Sequence, residues 1–350
     1  MKMSEKEVYW GVLGTASIAA GCVIPGMLLA ENCKLYAIAG RNADKVEQFK
    51  EKYGFEVGYV GYEKLLEDPK VRAVYIPLPN HLHKEWTLKA LRAGKHVLCE
   101  KPMALNAEEA REMYAVAAEN GVILMEAYAY LHGEFCKALM QDIAQGCIGT
   151  PVYVDTAFVT QGYREDFRLH KEFGGGMLYD LGCYCTTMML RILDAGKQYA
   201  ASKGETTFNG GNRTEKDFSY AKCCAELTEE GVDAFSNGQI LFNNGMRGSF
   251  TVGMILGKNS NARYDRLFIH GTEGSIRSEY AYNASGTLSY TIDCKGKKTV
   301  RTVSVSHNYR LETEQLGRCI LSGEKPEVTP EFSVRNAELL DALLKEAGVC

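Results

Sequence analysis

The feature that most constrains this chain is a strand that runs directly into a small-residue turn and then into a helix. Residues 8–13 read as the strand, and Gly11-Val12-Leu13-Gly14-Thr15-Ala16-Ser17-Ile18-Ala19 carries it into a helical stretch. Gly14, Ala16 and Ala19 fall at the three positions where small residues let the backbone approach a pyrophosphate seated at a helix N-terminus. The middle position holds Ala16 where glycine is usual, and such a turn by itself also suits a strand-to-helix corner that binds nothing. Its context narrows the choice. Up to about residue 126, strand-like runs (8–13, 34–39, 57–60, 73–77, 96–99, 122–125) alternate with helix-like ones, notably 43–53, 83–93 and 107–120. That alternation predicts a doubly wound parallel sheet covered by helices. Asn106 and Gly121 supply start and stop signals for the last helix.

The ends of the strands carry the chemistry. At the second, Ala39-Gly40-Arg41-Asn42 offers no carboxylate for ribose hydroxyls, whereas Arg41 can pair with a 2′-phosphate and lie against an adenine. NADP(H) is therefore expected, with NAD(H) as the alternative. At the fourth, Pro77 and Pro79 force the chain over the sheet edge, where ligands of open α/β sheets lie. Asn80 there could touch a nicotinamide or cap the next helix. His81 and His83 have no third ligand nearby in sequence and read as structural rather than metal-binding. The fifth strand ends in Cys99-Glu100-Lys101-Pro102. An ammonium fixed at that place by a stiff proline can hydrogen-bond a substrate oxygen and favour charge developing on it.

These motifs together, with Phe173-Gly174-Gly175-Gly176-Met177-Leu178-Tyr179-Asp180-Leu181-Gly182-Cys183-Tyr184 and, more weakly, His270-Gly271-Thr272-Glu273-Gly274, resemble the glucose-fructose oxidoreductase, inositol dehydrogenase and rhizopine-catabolism (Gfo/Idh/MocA) family. The resemblance covers most of the chain. It implies a cis Lys101-Pro102 bond and a helix after the glycines that turns Asp180 and Tyr184 toward Lys101. Many relatives have histidine at the place of Tyr184, and the tyrosine points to the branch resembling dimeric dihydrodiol and aldose dehydrogenases. Asp180 and Tyr184, four apart, share a helix face that Met177 and Met188 extend.

The resulting expectation is an enzyme, an NAD(P)-dependent oxidoreductase acting on CH-OH groups of a sugar, polyol or related hydroxy/oxo compound. Lys101 polarises the reacting oxygen, Tyr184 exchanges its proton and Asp180 positions the substrate. A version with Lys101 as the acid/base and Tyr184 as orienter stays open. The expected cofactor-binding residues are Gly11, Gly14, Thr15, Ala16, Ser17, Ile18, Arg41, Pro79, Asn80, His83, Glu100 and Lys101. The expected substrate-binding residues are Lys101, Tyr128, Arg168, Asp180 and Tyr184, with His132 as a further contact; Tyr128 and Phe158 could equally be core aromatics. Redox-assisted glycoside processing with a tightly held cofactor, and a non-catalytic nucleotide-binding sensor, are the alternatives.

After residue 126 the pattern changes to runs at hairpin spacing (152–159, 222–227, 238–242, 246–253, 266–269, 288–292), with Asn243-Asn244-Gly245 as a turn. A second, α+β domain over 127–350 with a mostly antiparallel open sheet follows, ending in a helix over 331–347 that is a candidate to pack back on the first domain. Residues 195–216 read as a long loop. Phe242, Phe250, Val252 and Ile255 suggest a sheet with one face on its own helices and the other against a second copy, in a homodimer or homotetramer. Acidic residues outnumber basic ones by 44 to 40, so nucleic acid is not an expected partner. No apolar run reaches a membrane span. The 12 cysteines include no C-x-x-C and read as small buried hydrophobes, with no metal expected and a cytoplasmic location.

Overall fold

The computed structural model describes residues 6–162, 166–204, 216–257, 262–279 and 282–349. The chain divides into two compact units, Met1–Gly133 with His307–Val334, and Glu134–Ser306 with Arg335–Cys350.

The first unit opens with β1 (Val8–Leu13), a π-helical turn (Ala19–Val23) and α1 (Ile24–Leu29), followed by β2 (Cys33–Gly40), α2 (Ala43–Tyr53), β3 (Val57–Val60) and α3 (Glu63–Glu67). It continues with β4 (Ala73–Ile76), α4 (Asn80–Arg92), β5 (His96–Glu100), α5 (Ala107–Glu119), β6 (Leu124–Ala127) and α6 (Ala129–His132). The six strands are all parallel and ordered β3-β2-β1-β4-β5-β6. Such strands are covered on both faces, and β1, β4 and β5 are accordingly almost continuous runs of buried residues. Local signals agree with this plan. Asn106 accepts a hydrogen bond from Glu109 N (2.9 Å) while Glu109 Oε2 accepts from Leu105 N (3.1 Å), a reciprocal cap that starts α5.

In the second unit α7 (Glu134–Ala144) leads into β7 (Pro151–Gln161), a π-helical turn (Leu178–Gly182) and the long α8 (Cys183–Ser202). Then come β8 (Phe218–Leu227), β9 (Asp233–Phe242), β10 (Arg247–Leu256), β11 (Arg263–Gly271), β12 (Gly274–Ser278), β13 (Gly286–Cys294) and β14 (Lys297–Val305). The eight-stranded sheet has the order β14-β13-β12-β11-β7-β10-β9-β8 and is antiparallel except for the β7–β10 pair. Phe250 and Val252 are fully buried, on the same face of β10 as Gly248, against which Met189 of α8 packs, whereas Ile255 is 53% exposed.

The chain returns to the first unit with α9 (Asn308–Ser322), which packs on α1 and α6, and α10 (Pro330–Ala347) follows. The expected loop over 195–216 needs correction. Its first part extends α8 to Ser202, because Ala195, Gly196 and Ala200 are buried and Gly196 lies against Pro151; residues 205–215 lie outside the described residues. Among the described residues no helix is long and apolar enough to cross a membrane, no acidic, cysteine or histidine cluster could hold a metal, and 11 cysteines are free, seven of them buried.

Candidate active site

The dinucleotide turn lies where the strand order reverses, between the carboxyl ends of β1 and β4. Gly14 has φ +128°, in the region that favours glycine, and a Cβ there would press on Leu78 at 3.2 Å. Gly14 N donates to Ala39 O (2.8 Å), which ties the turn to the end of β2. Beyond it is a cavity of about 260 Å³ whose lining includes Gly14, Thr15, Ala16, Arg41, Lys45, Tyr62 and Pro79. Asn42 caps α2 by accepting from Lys45 N (2.9 Å), so the helix start sets Lys45 beside Arg41 at the cavity. Burial raises the Tyr62 phenol, and the charge of the nearby Arg41 guanidinium works the other way. A turn without a Cβ, a cavity beyond it and two cations at the end of β2 suit a phosphorylated dinucleotide.

The Glu100-Lys101-Pro102 segment follows β5, and its Lys101–Pro102 bond is cis. Buried groups pin it at several points. His83, fully buried on α4, has Nδ1 at 2.8 Å from Pro102 O and Nε2 at 2.7 Å from Leu78 O. Glu100 accepts from the Tyr75 hydroxyl (2.6 Å) and from Lys101 N (3.2 Å), while Glu126 accepts from Met103 N (2.9 Å). Burial lowers the His83 imidazole to about 4; the two carbonyls oppose that and the nearby Lys101 cation adds to it. Glu126 is raised by burial. So is Glu312 of α9, where the Glu100 carboxylate pushes in the same direction. Glu312 is fully buried, and neither of its oxygens has a hydrogen-bond partner among the described residues.

In the second unit, Gly174-Gly175-Gly176 turns the chain into the helix that carries Asp180 and Tyr184. Gly176 has φ +105°, and a Cβ there would collide with Oδ1 of Asp233, the first residue of β9. Asp233 Oδ2 accepts from Leu178 N (2.8 Å) and Ser236 Oγ (2.7 Å), anchoring the helix start to the sheet. Burial raises its carboxyl to about 6 against the pull of those hydrogen bonds. Asp180 lies in the π-helical turn and accepts from Arg168 Nε (2.7 Å), whose Nη1 donates to Asp166 (2.9 Å). Tyr184, 8% exposed, packs against Phe158 (ring centroids 5.5 Å) and Tyr282 (5.4 Å), and its hydroxyl accepts from Asn283 Nδ2 at 3.0 Å.

Gly14, Thr15, Ala16, Arg41 and Pro79 thus share one cavity, while His83, Glu100 and Lys101 meet around one loop. Arg168 and Asp180 form an ion pair. Gly11 lies within β1 against Leu65, and Ser17 and Ile18 are exposed at the start of the following helix. Asn80 is the buried first residue of α4, whose cap position is Pro79, so Asn80 does not serve as the cap. Tyr128 is buried, edge-on to Tyr130, and hydrogen-bonded to Glu126; His132 is buried on α6. Sequence reasoning missed Lys45, Tyr62, Asp233 and Asn283. For Lys45 the signal was its place in the first turn of the helix that Asn42 caps, directly after Arg41.

A Rossmann unit with a glycine turn and a lysine held at a strand end, joined to a mixed-sheet unit, defines a nucleotide-dependent oxidoreductase class. Comparison with known proteins agrees: residues 8–128 match the GFO/IDH/MocA oxidoreductase family, NAD-binding Rossmann fold, and residues 136–277 match the GFO/IDH/MocA C-terminal domain. The chain belongs to this family. It is 30% identical to 1,5-anhydro-D-fructose reductase of Ensifer adhaerens over 76% of this chain and 74% of that one. It is 29% identical to D-xylose 1-dehydrogenase (NADP(+)) 2 of Haloferax volcanii over 97% of each. KijD10, a 3-ketoreductase from Actinomadura kijaniata solved in complex with NADP and TDP-benzene, superposes with a TM-score of 0.82 at 26% identity, over 97% of this chain and 98% of that one.

Proposed function

We propose that this oxidoreductase transfers a hydride between NADP(H) and a carbon of a sugar, polyol or related hydroxy/oxo compound. The observation that carries the reading is the pinning of the Lys101 loop by His83, Glu100 and Glu126, which fixes the backbone that presents the Lys101 side chain at the end of an interior strand. Gly14, Thr15 and Ala16 would hold the pyrophosphate, with Arg41 and Lys45 on the 2′-phosphate. His83 acts through the loop it holds, since both of its ring nitrogens already face carbonyls. When bound, the nicotinamide supplies or accepts the hydride. Lys101 polarises the reacting oxygen, Tyr184 exchanges its proton, and Asp180, charge-paired with Arg168, orients a second hydroxyl. The sugar reductase and dehydrogenase relatives support the substrate class, and the NADP(+) in the name of the Haloferax volcanii dehydrogenase, with the NADP bound to KijD10, supports the cofactor preference.

The test is a titration of the purified protein with NADPH and NADH, followed by turnover on a panel of aldoses, polyols and keto sugars with wild type and Lys101→Met. The variant should keep NADPH affinity and lose turnover by roughly 10²-fold or more. Near-normal turnover would refute the assignment of Lys101.

A further inference from the structure

We propose that Asn283 is a positioning residue for the proton step: its amide N–H stabilises the phenolate form of Tyr184. This rests on the reading of Tyr184 as the proton carrier and adds a residue that no motif marked. Asn283 Nδ2 donates to Tyr184 Oη at 3.0 Å. The opposite amide orientation would turn the two amide hydrogens toward the buried place of Oδ1, which has no partner among the described residues.

The amide is held by a frame built for position. Asn283 has φ 59°, a left-handed conformation that asparagine tolerates better than most residues. Its neighbour Tyr282 is tied at each of its polar groups: N donates to Asp265 Oδ2 (3.1 Å), O accepts from Arg263 Nη2 (2.7 Å), and the hydroxyl meets Thr156 Oγ1 (2.7 Å). The Tyr282 ring stacks on Phe158 at 5.1 Å and 11°. Two ion pairs among the described residues lie in this surround. Arg263 binds Asp265 through Nε (2.9 Å) and Nη2 (2.8 Å), and Arg168 binds Asp180 on the helix of Tyr184 itself. Cys185, also near Tyr282 and Thr156, is raised to a thiol by burial.

In the reductive direction Tyr184 gives its Oη proton to the substrate oxygen as the carbonyl carbon gains hydride from the reduced nicotinamide dinucleotide. The C=O π bond is replaced by new C–H and O–H bonds on a retained C–O single bond, the dinucleotide is oxidised, and a phenolate remains until solvent returns the proton. A donor already aimed at Oη favours that phenolate, whereas an acceptor there would oppose it.

The experiment is ultraviolet titration of phenolate formation in the full chain with NADP⁺ bound. Tyr184→Phe is subtracted to isolate the Tyr184 signal. Asn283→Gly keeps the left-handed backbone and removes the amide; Asn283→Asp keeps the shape and replaces donor by acceptor. Both should require roughly tenfold lower proton activity to ionise Tyr184, with Asp the larger shift. An unchanged Tyr184 titration in both folded variants overturns the inference. Normal turnover of Tyr184→Phe would instead refute the proton-carrier reading on which it stands.

Discussion

Gly176→Ala should dislodge the start of the substrate-unit helix. At φ +105° a side-chain-bearing residue carries about 1–3 kcal/mol of backbone strain. The added Cβ also collides with Asp233 Oδ1, and moving that carboxylate weakens its bonds from Leu178 N and Ser236 Oγ, about 1.5–3 kcal/mol for a charged acceptor. A combined loss of about 3–5 kcal/mol is expected, lowering the unfolding midpoint of this unit by about 10 °C. Because Asp180 and Tyr184 ride on the helix thus released, kcat/KM should fall with it. Circular dichroism melts of a double-mutant cycle with Asp233→Ala separate the two contributions. Removing the carboxylate relieves the collision, so the double variant should be less destabilised than the sum of the singles by about 1–3 kcal/mol. Additive effects, or a Gly176→Ala protein that melts and turns over like wild type, would refute the reasoning.

Arg41→Ala should weaken NADPH binding by roughly ten- to hundredfold through a lost charge-assisted contact and leave NADH binding within a factor of a few, read by nicotinamide fluorescence. Acidification should destabilise the fold through His83 and His96, both lowered to about 4 chiefly by burial. The unfolded chain takes up these protons first as pH falls from about 6.5, so each contribution is complete above that value and is lost toward pH 4, by up to about 3 kcal/mol. Asp233, raised to about 6, opposes part of this over about pH 4–6. His96→Asn, whose amide oxygen can replace Nδ1 as acceptor for Ile123 N, should flatten the dependence; denaturant unfolding at pH 7 and 4.5 that shows equal slopes would contradict it. Finally, the sheet face opposite α8, with Tyr264, Ile255 and Phe268, is proposed to pair two copies. Ile255→Asp should then lower the mass seen by light scattering, and a wild-type monomer across micromolar concentrations would remove the idea.

Much of the first unit was legible because its information is local. The apolar runs of β1 and β4, the Asn106 cap and the small-residue turn each state their own conformation, and Glu100-Lys101-Pro102 carries a family's signature in three residues. The second unit was read less completely. β12 is only five residues and β14 is a largely exposed edge rich in lysine and threonine, so neither shows the apolar alternation that marks a half-buried strand.

What the sequence by itself determined was the class of fold, the oxidoreductase family and the residue types at the strand ends, since these follow from periodicity and contiguous motifs. Only the tertiary structure decided what supports them. His83 grips Pro102 O across 19 residues, Asp233 anchors Leu178 across 55, and Asn283 reaches Tyr184 across 99. Such partners are chosen by where the folded backbone brings two groups within hydrogen-bond distance, and no local pattern along the chain encodes that meeting.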